Sequence, residues 1–365
     1  MISATAVAPP LEPTDADAEE GRLRARWLEE WTGGATRRDE VLRALRSDGD
    51  GHVESKDLRG ISLTGEGLEG IDFTGYDLSG ADLTEANLTG ARLAHCDLRR
   101  ASLVRAKLDR CELLAANLAD ANLSECSAGH AGFGHADLSR ATLFQANLEG
   151  ATLTGAVLVG ADLRAANLEK TRLRSADLRD INFTRARLLG ADLCESVVAK
   201  SEFQNADLRD AELRGLQEFE TASWIGVDIR DVNFSGAYLL RRWIMDENYL
   251  FEFRSKSKHN AFIYRVWWLT SDCGRSLRRW FAWNLAIALL FGFLYTIVAV
   301  DFGDHRTALS PFYFSFVTLT TLGYGDVVPA SSAAQLTAVV EVLFGYLGLG
   351  GLLTIFAAKM GRRAD

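Results

Sequence analysis

The hydrophobic positions of this chain obey two unlike rules. From Leu58 to Leu213 every fifth residue is Leu or Phe, apart from Ala128 and Val198. Two residues before most of them stands a small side chain, from Ala81, Ala86, Ala91 and Cys96 on to Ala211, and Asp or Asn often falls between, as in Ala121-Asn122-Leu123. A period of five matches neither the 3.6 of a helix nor the 2.0 of a plain strand. Each repeat therefore needs an internal turn, and the segment is predicted to coil with one short face per pentapeptide. Past residue 280 the rule changes. Phe281 to Val300 contains no Asp, Glu, Lys, Arg or His, and Ala333 to Ala358 carries one carboxylate, Glu341. A bilayer core of about 30 Å needs about 20 apolar residues in a helix, so both stretches are predicted to span a membrane. Between them, Ser310-Pro311-Phe312-Tyr313-Phe314-Ser315-Phe316-Val317 reads as a short helix with proline in its first turn. It is too short to cross, and suits a re-entrant helix.

The five-residue register resembles the pentapeptide-repeat family. That resemblance implies a right-handed quadrilateral β-helix with four repeats per coil, the Leu or Phe and the small residue pointing inward. Thirty-two such positions between Leu58 and Leu213 make eight coils, a rod of about 38 Å at the strand spacing. A solenoid needs capped ends. Ile61, Ile71 and Tyr76 replace the small residue in a looser first coil, and Leu213 to Phe219 spans six residues. The period then resumes through Trp224, Ile229, Phe234 and Leu239, as in a thicker last coil. Cys96, Cys111 and Cys126 occupy small core positions on different faces, which disfavours a shared metal. His95 and His135 lie two coils apart, about 10 Å, and His130 is one repeat from His135; all three read as solvated surface. The small residues of Ser124 to Gly132 read as a weak repeat rather than a ligand notch.

Between the apolar stretches, Thr321-Leu322-Gly323-Tyr324-Gly325-Asp326 resembles the selectivity filter of potassium channels, in which rings of backbone carbonyls replace the hydration shell of the ion. Gly323 and Gly325 can take the positive φ that aims successive carbonyls at one axis. The resemblance implies that the carbonyls of Thr321, Leu322, Gly323 and Tyr324, with the Thr321 hydroxyl, bind potassium within the loop ending at Gly325. Tyr324 braces the loop from behind, and Asp326 stands at the outer mouth. Leu322 replaces the commoner Val, and Val317 stands where some bacterial channels place a Glu. One loop supplies a quarter of each oxygen ring, which implies a homotetramer. Counted from the Gly-Tyr-Gly-Asp run, Gly345 falls on the inner-helix hinge glycine and Gly350 on a second one. Close packing is the alternative, since small residues let membrane helices approach. Tyr346, Leu349 and Leu353 would line the cavity, narrowing near Ala357. Glu341 is costly in a span unless paired, and is read as an anchor for the pore helix or its neighbouring loop. The chain has no arginine-rich sensor helix, so steep voltage gating is not expected.

Charge sets the orientation. Arg275, Arg278 and Arg279 precede the first span and Lys359, Arg362 and Arg363 follow the second, whereas the loop from Asp301 carries Arg306 alone beside acids and His305. The positive-inside rule then places both flanks, the β-helix and both termini in the cytosol, with the chain as a multi-pass protein of the cell (inner) membrane. Met1 to Glu20 lacks the basic and apolar regions of a secretory signal, and five cysteines in a cytosolic region argue against a disulfide framework.

The chain divides into a tail with short helices (1–56), the β-helix (57–240), a linker (241–279) and an all-α two-transmembrane pore domain with its re-entrant helix (280–365). Within the first part, Met1 to Glu19 is read as disordered, with helices near Gly21 to Trp31 and Thr36 to Arg46. Asp48 to Asp57 partly matches an EF-hand loop, but Arg46 stands at the first ligand position, so calcium is not expected. In the linker, Tyr264, Trp267 and Trp268 suit either the headgroup region or packing on the rod's end. A net charge of −9 disfavours a surface coating nucleic acid. The rival reading is a membrane-anchored scaffold or DNA-mimicking rod. Residues 57–214 hold 24 acidic and 18 basic side chains, a modest excess for mimicry. No constellation of nucleophile, base and orienting acid suggests an enzyme, and no organic cofactor is expected; an unidentified cytosolic ligand or protein is.

Overall fold

The computed structural model describes residues 21–28, 36–46, 55–235, 237–303 and 307–360. They divide into two compact units, Met1–Asn248 and Tyr249–Asp365. In the first, parallel bridges join residues twenty apart, from Asp57↔Asp77 and Ser62↔Asp82 to Val197↔Gln217, so four pentapeptides make each coil. Nearly every repeat closes with a turn bond such as Ala81 N–H to Leu78 O at 2.9 Å, and most bond to the next coil, as Leu78 N–H does to Asp97 O at 2.7 Å. The corner residue sits at positive φ whatever its type, as in Gly80 (65°) and Arg100 (57°). A left-handed non-glycine residue costs about 1–2 kcal/mol, and the coil-to-coil bonds of each repeat offset it.

Inside, the Leu/Phe column and the small column are sealed from solvent, Leu138 and Ala141 at 0 % exposure. Where the small residue is not Ala, its hydrogen often finds a carbonyl of the preceding coil. Cys96 Sγ donates to Phe73 O (2.7 Å), Cys111 Sγ to Leu88 O (2.8 Å) and Thr171 Oγ1 to Leu148 O (2.9 Å). Burial pushes the Cys111 and Cys126 thiols up to about 12, so they stay protonated. The inserted residue near the end of the rod is absorbed in a 3₁₀ turn at Phe219–Thr221, after which the bridges shift to twenty-one apart, beginning with Glu202↔Ser223. Trp224 then stacks on Phe203 at 4.3 Å, and Phe203 on Phe183 at 5.0 Å. The period does not extend to Leu239, which is exposed and belongs to a helix.

Both ends of the coil are closed by side chains. Helix α1 (Arg37–Arg46) buries Val41, Leu42 and Leu45, and Arg38 and Arg46 both pair with Glu66. Trp27, from a helical stretch at 21–25 and its following turn, is buried and donates its indole N–H to Arg59 O at 2.8 Å. Arg26 pairs with Asp57 at 2.8 Å, and hydrogen bonds from Arg26 and then Arg59 hold the Asp57 carboxyl well below the usual range. The rest of the calcium-like run, residues 48–54, lies outside the described residues. At the far end helix α2 (Tyr238–Lys256) buries Leu240 and Ile244. Its Glu247 accepts from Trp224 N–H at 3.0 Å, while the Asn248 amide accepts from Gly226 N–H at 2.7 Å and donates to Trp224 O at 2.9 Å. These side chains satisfy backbone groups that another coil would have paired, and so blunt an open edge.

The second unit is helical. Helix α3 (Lys258–Ser271) starts on a Ser257 cap and ends in left-handed residues at Asp272, Cys273 and Gly274. Helix α4 (Leu277–Ile297) starts on a Ser276 cap. Helix α5 (Ser310–Leu319) has Pro311 in its first turn, and α6 (Ser332–Met360) runs unbroken for 29 residues. Short strands β1 (Val300–Asp301) and β2 (Val328–Pro329) pair antiparallel beside the loop between α5 and α6. A small core of Phe291, Tyr295, Phe302 and Phe314 joins α4 to α5.

Candidate functional site

Helix α5 ends at Leu319, and the loop after it starts on a fixed footing. Thr321 N–H donates to Thr318 O and Leu322 N–H to Val317 O, both at 3.0 Å. Positive φ then recurs at alternate residues, Thr321 (57°), Gly323 (50°) and Gly325 (80°), while Leu322 and Tyr324 stay outside that region. Backbone that alternates in handedness turns successive carbonyls to one side, the arrangement a dehydrated cation requires. The glycines adopt it without a Cβ penalty. Thr321 does not, and a β-branched residue held there stores about 1–3 kcal/mol, as functional loops commonly do.

The far end of the loop is tied back by a residue the sequence reading missed. Tyr313, on α5, donates its hydroxyl to Asp326 Oδ2 at 3.0 Å. Tyr324 is 67 % exposed in the single chain, so the brace within the chain is Tyr313. Its place in the pore helix, one turn before Val317, was the available signal. Behind the loop, α5 is bound to both long helices. Ser315 Oγ contacts Ala288 O at 2.7 Å and also Glu341, whose other oxygen accepts from Tyr295 at 2.7 Å. All three side chains are buried.

Gly345 passes against the end of α5 so closely that a Cβ there would overlap the Leu319 carbonyl oxygen. Gly350 has open space around it in the chain. Lower down, Trp280 donates its indole N–H to Gly348 O at 3.1 Å. Tyr346, Leu349, Leu353 and Ala357 are all exposed, Leu353 at 63 %, as are Leu343 and Leu347. Helix α6 therefore presents apolar side chains on several faces that the described residues do not cover. Leu277–Ile297 and Ser332–Ala357 both have the length and composition of membrane spans.

Comparison with known proteins agrees with this division. An ion-channel family model matches residues 283–362. Pentapeptide repeats match residues 57–90, 77–113, 142–180 and 176–215. Over 87 residues the chain is 40 % identical to two-pore potassium channel 1 of Arabidopsis thaliana, covering 23 % of this chain and 24 % of the relative. Over 73 residues it is 44 % identical to two pore potassium channel b of Oryza sativa subsp. japonica, covering 19 % and 21 %. The chain thus spans about a quarter of the length of these relatives. Among solved structures, HetL, a pentapeptide repeat protein from the cyanobacterium Nostoc involved in heterocyst differentiation regulation, aligns at 27 % identity with a TM-score of 0.35, covering 54 % of this chain and 92 % of HetL. A plasmid-mediated fluoroquinolone resistance protein aligns at 21 % identity with a TM-score of 0.37, covering 52 % and 95 %.

Proposed function

We propose that this membrane protein, which joins pentapeptide repeats to an ion-channel domain, is the subunit of a potassium-selective channel, working as a homotetramer. The observation that carries the reading is the loop Thr321 to Gly325, with positive φ at every second residue and its first amides pinned to a re-entrant helix between two spans. One loop offers one oxygen to each ring, and four around an axis complete the coordination shell. In this reading the carbonyls of Thr321, Leu322, Gly323 and Tyr324 and the Thr321 hydroxyl take the ion, with Asp326 at the mouth. The uncovered apolar faces of α6 support assembly, with Tyr346, Leu349 and Leu353 toward the cavity and Ala357 at its narrow end.

In this reading the β-helix and both termini lie on the cytosolic side of the cell membrane, which the basic residues flanking both spans support. The β-helix then modulates opening through the linker, in response to a cytosolic ligand or protein. Bending of α6 at Gly345 and Gly350 moves the inner ends of the four helices apart. Gly345 carries a second duty, since its missing side chain admits the end of α5.

Purified full-length protein in planar bilayers tests the reading. With potassium opposite sodium, the current reverses near the potassium equilibrium potential. Reversal near zero would remove selectivity, and a silent bilayer at all voltages would favour a membrane-anchored scaffold.

A further inference from the structure

Glu341 is the one carboxylate in α6, and what meets it is two hydroxyls rather than a cation. Tyr295, from α4, donates to Oε2 at 2.7 Å. Ser315, from α5, touches Oε1 with its Oγ, and the same Oγ lies 2.7 Å from the carbonyl oxygen of Ala288 on α4. Glu341 and Ser315 are 0 % exposed and Tyr295 1 %.

The proton count decides the state of this carboxyl. A serine hydroxyl has one hydrogen, and a backbone carbonyl has none to offer. Were Glu341 ionised, Ser315 would face two pure acceptors with one proton. One of the two oxygen–oxygen approaches would then hold no hydrogen, in a place sealed from water where an unmatched polar group is costly. A neutral acid resolves the conflict. Its Oε1–H donates to Ser315 Oγ, Ser315 donates to Ala288 O, and Tyr295 donates to Oε2. Each proton is used once and each close oxygen pair holds one.

We infer that Glu341 is a neutral carboxylic acid and a positioning residue, whose proton completes a hydrogen-bond chain from α6 through the pore helix to α4. This deepens the channel reading and rests on it for its consequence. Ser315 lies two turns before Thr321, so the chain fixes the helix on which the filter stands. The titratable group facing Glu341 is Tyr295; α5 presents the non-titrating Ser315.

Infrared difference spectra of full-length protein in lipid at neutral pH test the proton directly. Wild type minus Glu341→Gln should show the C=O stretch of a protonated carboxyl. Tyr295→Phe should move that band to higher frequency, because the carbonyl oxygen loses its donor. Glu341→Gln, whose amide N–H replaces the acid O–H, should conduct with unchanged selectivity. Glu341→Ala should lower the conducting fraction about tenfold, the scale of one buried hydrogen bond.

No protonated-carboxyl band in the difference spectrum overturns the inference even if potassium currents are normal. An insensitive band in Tyr295→Phe overturns it too, and that variant serves if Glu341→Gln fails to fold. Loss of current in a folded Glu341→Gln overturns the positioning role. A band of the expected kind in a protein that passes no potassium supports the proton assignment and defeats the channel reading.

Discussion

The β-helix and the channel unit bury their apolar residues in opposite ways. In the rod, Leu138, Leu143 and their equivalents are fully enclosed by the coil that carries them and by the coils above and below. One chain suffices. In the channel unit, Leu343, Leu347 and Leu353 lie open along α6, and the enclosed core is a handful of aromatics. Among the described residues nothing covers those faces, and in the proposed tetramer lipid and further copies would. Side-chain bonds differ as well. In the rod they finish a backbone ladder, whereas in the channel unit they tie three helices together and the loop to one of them.

The largest effect expected from this contrast is on assembly. Residues 1–248 expressed alone should be soluble and monomeric, and residues 249–365 in detergent should run as a tetramer by light scattering. A tetrameric rod beside a monomeric membrane fragment would reverse the assignment. Next in size is Phe203→Ala, which removes the middle of the Phe183–Phe203–Trp224 stack. It should cost the rod about 3–5 kcal/mol in denaturant unfolding, while Leu353→Ala, on an exposed face, changes conduction with little effect on folding.

The two glycines of α6 separate a contact from a bend. Gly345→Ala pushes Leu319, two residues before Thr321, and overpacking of this kind costs about 1–3 kcal/mol; single-channel recording should show altered filter behaviour. Gly350→Ala should lower open probability with selectivity intact. Equal effects from both would mean that the close approach at Gly345 is not transmitted to the loop.

Loss of an end cap is a comparable or smaller perturbation. Asn248→Ala leaves Gly226 N–H and Trp224 O without the amide that serves both. The first unit should lose about 1–3 kcal/mol, read as a lower melting midpoint.

The smallest effect is a pH dependence. Asp57 is depressed by Arg26 and Arg59, so its folded value lies below the unfolded one. Its contribution is complete above about pH 4 and is lost as pH falls below that. Trp27 fluorescence should report loosening of the N-terminal cap on acidification, and Asp57→Asn should flatten that response.

Much of this was legible in the residues themselves. A period of five is a local instruction, because each pentapeptide contains its own turn and its own inward pair, and repetition stacks them. The spans were legible for a similar reason, since a run of apolar side chains needs no partner to identify it. The loop at Gly323 and Gly325 was readable because only certain residues tolerate its backbone. What tertiary structure decided lies in pairs with no local pattern. Tyr313 reaches Asp326 thirteen residues on, Tyr295 reaches Glu341 across forty-six, and Asn248 completes the edge at Trp224 and Gly226. None of these residues repeats, so periodicity could not single them out. The sequence by itself determined a pentapeptide coil, two apolar spans and a glycine loop between them. Only the folded chain decided what closes the coil and what holds the loop, because a hydrogen bond between distant elements depends on where packing brings their side chains.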